Sequence, residues 1–167
     1  IVCQIVKGKT FTNSIREIAL ELVYSLAKNV PGAVKKSNNF KNIFIPLMFE
    51  LLLEVDNIDN IPAWEKQVEE DEVDLDDIFY GVRDGFERLS IDLGGKFFME
   101  ATSGFINKYR TSQNWVEIHA AFTALAFMSE GCKEQYKSHL LEILGFVSNG
   151  LTNQHPRVRY AALSAFG

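Results

Sequence analysis

The chain predicts an all-α fold, an α-solenoid of about four stacked helix hairpins, and three observations predict it. Apolar residues recur at intervals of three and four along nearly the whole sequence, with no convincing strand pattern. Short turns carrying Pro, Gly or Asn separate these segments. One segment also repeats: Trp115–Ala126 aligns with Pro156–Gly167, so that Ala120, Ala121 and Phe122 fall on Ala161, Ala162 and Leu163. The offset is 41 residues, the length of a stacked helix pair.

Taken in order, Ile1 to Gly8 reads as the tail of a helix closed by Gly8. Ser14, three residues ahead of Glu17, has capping-box spacing. The helix it opens runs to about Asn29 on Ile15, Ile18, Ala19, Leu22, Val23, Leu26 and Ala27, and Pro31-Gly32 stops it. Asn38 or Asn39 caps the next helix, which reaches about Val55 through Phe40, Phe44, Leu47, Met48, Leu51 and Leu52. Pro46 removes a backbone donor there and predicts a kink. Residues 56–62 read as a loop, followed by an acidic run. Helices then span about Asp76–Leu93, closed by Gly94-Gly95, and Lys96–Arg110. Asn114 and Glu117 repeat the cap spacing ahead of a helix to Glu130, closed by Gly131. Lys133–Asn149 reads as one helix. The last starts at Pro156, where a missing N–H costs nothing, and its Ala161, Ala162 and Ala165 let another helix approach closely. The second helices of the hairpins centre on Leu20, Phe86, Phe122 and Leu163. Their spacings are 66, 36 and 41 residues, and the long first one holds an insertion near 56–77.

With 167 residues, 47% of them hydrophobic, the chain can bury a sizeable core. Its strongest apolar stretch, Ile43–Val55, is broken by Pro46 and Glu50 and is too short to span a bilayer. No secretory leader is read. A chain that starts at Ile1 and stops within a helical pattern is expected to be a central piece of a longer solenoid, with residues 1–167 as one unit. Cys3 and Cys132 read as buried free thiols, in keeping with a cytosolic or nuclear compartment. The net charge of −5 is uneven: residues 65–77 hold eight acids and one base, leaving about +2 for the remainder. No basic stripe exists to displace counterions from phosphates, so direct nucleic-acid binding is disfavoured.

The acidic run, Glu69, Glu70, Asp71, Glu72, Asp74, Asp76 and Asp77, has two readings. It is a solvated loop, or it is an anionic arm that concentrates lysine- and arginine-rich partners in a salt-sensitive way. Trp64, just ahead, would anchor it to the solenoid or stack on an aliphatic or cationic side chain. The second helices offer Glu17, Glu21, Asp84, Glu87 and Glu117 at solvent positions, with His119 and Ser164 beside them. Each surface pair made by such a residue is weak, so binding needs many at once. Arg157 and Arg159 read as contacts to turns of neighbouring repeats that stabilise the stack. Catalysis finds little support. Gly8-Lys9-Thr10 lacks the earlier glycine of a phosphate-binding loop, since position 3 is Cys. Glu117-Ile118-His119 lacks the second His of a zinc-protease helix. No cofactor or metal is predicted.

Several of these motifs coincide with one family. The acidic insertion ending near Asp76-Asp77 comes first. The segment Leu89-Ser90-Ile91-Asp92-Leu93-Gly94-Gly95-Lys96 follows, and then Trp115 through Glu130-Gly131-Cys132. His155-Pro156-Arg157-Val158-Arg159-Tyr160-Ala161-Ala162 closes the series. Together they resemble the importin-beta (karyopherin-beta) nuclear transport receptors, in the importin 5 or karyopherin beta 3 branch, which are built of HEAT repeats. The resemblance is specific over residues 62–167 and limited to helix pattern over 1–61. Asn153 stands where many such repeats have aspartate. The resemblance implies a receptor that shuttles between cytoplasm and nucleus. Basic localisation signals of protein cargo would bind a concave face made of second helices, and the GTP form of the GTPase Ran would release them. Nucleoporins would be met through other parts of the full-length protein. Acidic insertions in similar proteins touch Ran or cargo. The competing reading is a HEAT-repeat scaffold or regulatory subunit that organises a protein complex.

Overall fold

The computed structural model describes residues 1–55, 60–69 and 78–166, except for the side chains of 67–69. Within them α-helices follow one another without a strand. α1 (Val2–Lys7), α2 (Asn13–Asn29) and α3 (Pro31–Lys36) lead to a π-helical turn at Phe40–Phe44 and α4 (Ile45–Leu51). Next come α5 (Ile61–Glu69), α6 (Ile78–Leu93), α7 (Gly95–Arg110) and α8 (Trp115–Phe127). α9 (Lys133–Ser138), α10 (Leu140–Leu151) and α11 (Pro156–Ser164) complete the chain.

Four of these helices form a row. α2 packs on α6, α6 on α8 and α8 on α11, while α1, α4, α7 and α10 back them. The row helices run in one direction. Glu21 and Tyr24 of α2 meet Arg88 and Gly85 of α6, and Phe79 of α6 stacks on His119 of α8. Trp115 of α8 meets His155 at the head of α11. This is the solenoid the repeat spacing predicts, with the expected second helices in the row. Its larger core extends from Val6 to Cys132 through Tyr24, Phe49, Phe86 and Phe98. A smaller one joins Phe122 and Val147 to Val158, Ala161 and Ala162.

Several element boundaries differ from those predicted. The cap of α2 falls on Thr12, not Ser14, and Thr12 makes no side-chain cap bond. Pro31 does stop α2, but it also opens α3, because a fixed φ and a missing N–H suit a first helical turn. Pro46 produces a π turn in place of a simple kink. The Ile45 N–H reaches back five residues to the Phe40 carbonyl, and the widened turn absorbs the disturbance a proline brings. The predicted helix Lys133–Asn149 divides at His139, whose ψ of 17° leaves the helical range. Just ahead of the break, the Tyr136 hydroxyl donates to the Leu125 carbonyl at 2.6 Å and ties α9 to the end of α8. α5 stands where the sequence predicts a loop and an arm.

A buried cation fastens the first repeat. The Arg16 side chain is almost wholly buried; it donates to the Val6 carbonyl at 2.7 Å, to Asn13 Oδ1 at 3.1 Å and to Glu54 Oε2 at 2.9 Å. It thereby joins α1, α2 and the end of α4. The buried charge is tolerated because its donors are met.

Candidate functional site

The row of second helices begins with a polar surface on α2 and α6. Glu21 is exposed and grips Arg88 through both carboxylate oxygens, the second at 3.0 Å. Arg88 also lies over the Tyr24 ring at 4.9 Å, and the Glu21 pairing holds its guanidinium charged. Below this pair, Tyr24 donates to the Gly81 carbonyl at 3.2 Å, and burial pushes its phenol well above the usual range. Arg83 is fixed by Asp84 Oδ1 at 3.1 Å and by the rings of Tyr80 and Phe127 at 4.7 and 4.5 Å. Glu87 is exposed and forms no ion pair among the described residues, and Glu17 is half-buried beside Gly81. On α8, Glu117 is half-buried, and Asn114 caps the helix by accepting from the Val116 N–H at 3.1 Å. Ser164 is exposed at the end of α11 and donates to the Tyr160 carbonyl.

One predicted solvent residue is not at the surface. His119 is 8% exposed, with the Phe79 ring stacked at 5.8 Å and Trp115 edge-on at 6.4 Å. Its Nδ1 is buried with no hydrogen-bond partner. Burial, with help from the nearby Arg157 and His155 charges, lowers its pKa to about 4. The helical period puts His119 on the outer side of α8, but Phe79 from the start of α6 closes over it. That contact joins residues 40 positions apart and leaves no local trace in the sequence.

The other end of the row carries an aromatic stack that the sequence only hints at. His155 lies flat on Trp115 at 3.6 Å. Arg157, 2% exposed, sits between the rings of Trp64 and Trp115 at 5.2 and 5.9 Å. Trp64 also meets Tyr160 edge-on at 5.8 Å. Trp64 belongs to α5, which Asn60 caps by accepting from the Ala63 N–H at 3.2 Å. So the insertion that leaves α4 of the second repeat is fastened to α11 of the fourth before the chain returns to α6. Trp64 is an anchor, as the sequence predicts. Glu69 ends α5, while Glu70, Asp71, Glu72, Asp74, Asp76 and Asp77 lie outside the described residues. Arg159 donates to the carbonyls of Asn153 and Gln154, both at 2.9 Å, and so braces the turn of its own repeat.

The sequence reading missed Arg83 and Arg88. A signal existed: Glu21 and Arg88 are 67 residues apart, one repeat spacing including the insertion. The two cysteines are free, Cys132 buried and Cys3 half-buried, and burial pushes the Cys132 thiol up to about 12. Among the described residues no group of three or more His, Cys, Asp or Glu side chains could hold a metal ion, and no helix is long and apolar enough to cross a membrane.

Comparison with known proteins gives a consistent result. The family model described as "Importin repeat" matches residues 8–100. Importin subunit beta-3 of Saccharomyces cerevisiae is 27% identical over 164 residues, covering 98% of this chain and 15% of that protein. The solved structure of Kap121p bound to Pho4p superimposes with a TM-score of 0.86 at 26% identity. That of Kap121p bound to RanGTP does so with 0.84 at 26%. Each covers 98% of this chain and 16% of the solved one. With a family model spanning more than half of its residues and a shared fold over almost all of them, the chain belongs to the importin repeat family, in the importin beta-3 branch.

Proposed function

We propose that this segment serves a nuclear import receptor by binding protein cargo with basic localisation signals, and Ran in its GTP form, on the face of its second-helix row. The observation that carries the reading is the shape of that face. Carboxylates of α2 and α6 stand at one end, and α5, which precedes the acidic run in the sequence, is pinned by Trp64 to α11 at the other. A basic peptide laid along the row would meet Glu17, Asp84, Glu87 and Glu117 in turn, and the acids of 69–77 follow α5 in the sequence. Each contact is weak and solvent-screened, so affinity is a sum that falls with salt. Kap121p, of the same fold, is solved with Pho4p and with RanGTP, which supports the reading.

The mechanism is recognition without covalent chemistry. His119 is wrapped in aromatic rings and Cys132 points its thiol at the Gly95 carbonyl, so both serve the packing of the stack. A receptor of this kind shuttles between cytoplasm and nucleus.

The test is binding of a fluorescent lysine- and arginine-rich localisation peptide to the 167-residue chain and to a version with the acids of 69–77 changed to amides. The amide version is expected to bind more weakly and with a shallower salt dependence. Equal binding by both removes the insertion from the mechanism. Retention of Ran–GTP on the immobilised chain at low salt tests the second partner.

A further inference from the structure

Many cations of the described residues are matched by a carboxylate, as in Lys7–Glu50, Arg88–Glu21, Arg110–Glu142 and Lys137–Glu134. Of the lysines that form no ion pair among the described residues, Lys108 stands apart in the last turn of α7, and five others are concentrated. Lys28 ends α2, Lys35 and Lys36 end α3, Lys41 lies in the π turn and Lys96 opens α7. From Leu22 to Phe49 the chain carries four lysines and no acid. Lys35 and Lys41 converge on one ring, with their Nζ atoms 6.0 and 4.9 Å from the centroid of half-buried Phe97. Lys35, Lys96 and Phe97 line an open cavity of about 430 Å³ with Leu93, Gly94, Gly95 and a single carboxylate, Glu100.

Lysine at a helix end often serves only the helix dipole. That explains Lys28, Lys35 and Lys36, which sit in last turns, where the dipole is negative. It does not explain Lys96. Lys96 lies in the first turn of a 16-residue helix, the positive end, and that end has no side-chain cap. A cation there works against the helix dipole, and Glu100, one turn on, is the one carboxylate that lines the cavity with it.

From this charge placement we infer that the Lys35–Lys41–Lys96 surface around Phe97 docks an acidic, extended segment of a partner protein. Its carboxylates would pair with the lysines, and its apolar carbons would cover Phe97. The charges are spread around a ring instead of aimed at one point, which suits a peptide better than a single phosphate. The patch is also short and set in a chain of net charge −5, so a long nucleic-acid backbone would run off it into repulsive surface.

The experiment is fluorescence anisotropy of a labelled octaglutamate peptide at low salt, with the 167-residue chain and three variants whose folding is checked by circular dichroism. Saturable binding is expected for the natural sequence. Lys35→Glu with Lys96→Glu is expected to weaken it by about tenfold or more, since it places like charges against the peptide. Lys35→Gln with Lys96→Gln, which perturbs the fold least, is expected to fall between the two. Reversal of Lys7 and Lys9, paired with Glu50 and Glu54 by the start of α2, should leave binding within about twofold, as expected of charges away from the contact. Absence of binding overturns the inference, as does equal binding by all variants. Tighter binding of an eight-nucleotide oligothymidylate than of the peptide also overturns it and marks the patch as a nucleic-acid surface.

Discussion

Gly85 is the residue on which the first contact of the row turns. A Cβ there would overlap the hydroxyl and ring of Tyr24, which is itself buried and hydrogen-bonded to Gly81. Gly85→Ala therefore forces Tyr24 aside or parts α2 from α6. A loss of about 1–3 kcal/mol is expected, as for other overpacked cores, read as a lowered melting temperature. Restoration by Tyr24→Phe would show that the hydroxyl is the main obstacle; no rescue there but rescue by Tyr24→Leu would place the strain in the ring. His119 gives a second prediction, in pH. Its folded pKa is about 4 against an ordinary 6.5, so the unfolded chain binds a proton that the folded chain refuses. Stability from this group is fully present above pH 6.5 and is lost as pH falls towards 4, with a slope approaching about 1.4 kcal/mol per pH unit. Urea midpoints at pH 7.5, 6 and 5 check it: His119→Phe, which keeps a ring against Phe79, is expected to flatten the fall relative to the natural sequence. Matching slopes would mean that the imidazole titrates in water. The candidate carboxylates of α2 and α6 were legible because helical period alone separates outer from inner positions. His119 was not, because its cover comes from another repeat.

At the scale of the element, α5 is the piece that position in the sequence least suggested. Its composition looked like loop and arm, yet Asn60-Ile61-Pro62 is a cap followed by an early proline, and Ile61 and Trp64 are three apart on one side. What makes a nine-residue helix persist is tertiary, since so short a helix is marginal alone. Trp64 supplies that support by stacking against Arg157 and Tyr160. Trp64→Ala is expected to raise amide exchange across 61–66 by about tenfold or more, as a locally opened unit would show, while α6 and α8 keep their protection. Trp64→Phe should retain part of it. Unchanged exchange in the alanine variant would mean that the helix is held by something other than this ring. The same tertiary logic explains the other misjudged boundaries. Lys133–Asn149 has an unbroken helical period, but Tyr136 is bound to the end of α8 just before His139, and that tie is invisible in the period. Pro46 was legible as a disturbance; the tertiary setting of the π turn, where Phe40 stacks on Phe44 and Phe44 meets Tyr24 of α2 edge-on, was not.

For the whole molecule, the repeat spacing read from the sequence does more than name a fold: it says how the chain comes apart. A solenoid is held chiefly by neighbour contacts, to which this chain adds the clasp of Trp64 on α11, so its stability is distributed along the axis and its ends can open first. Here the distribution is uneven. The large core runs through α1 to α8, whereas α10 and α11 are held by a cluster of five buried residues. Phe122 is the link, since it projects from α8 into that small cluster and stacks on Phe146 with centroids 4.0 Å apart and planes 7° apart. Gly150 allows the stack, because a side chain there would overlap both the Phe122 ring and Ala162. Removing the ring should thus cost the last repeat far more than the first three. Phe122→Ala is expected to lose about 3–5 kcal/mol locally, as large buried aromatics do. In native-state exchange, α10 and α11 would then open with little protection while α2, α6 and α7 change little. The natural sequence should already show a smaller opening free energy for α10–α11 than for α6–α7. If Phe122→Ala instead lowers protection equally in every helix, the chain unfolds as one cooperative body. The row would then be a rigid docking face and not one whose far end, where Trp64 clasps α11, can yield independently to a partner.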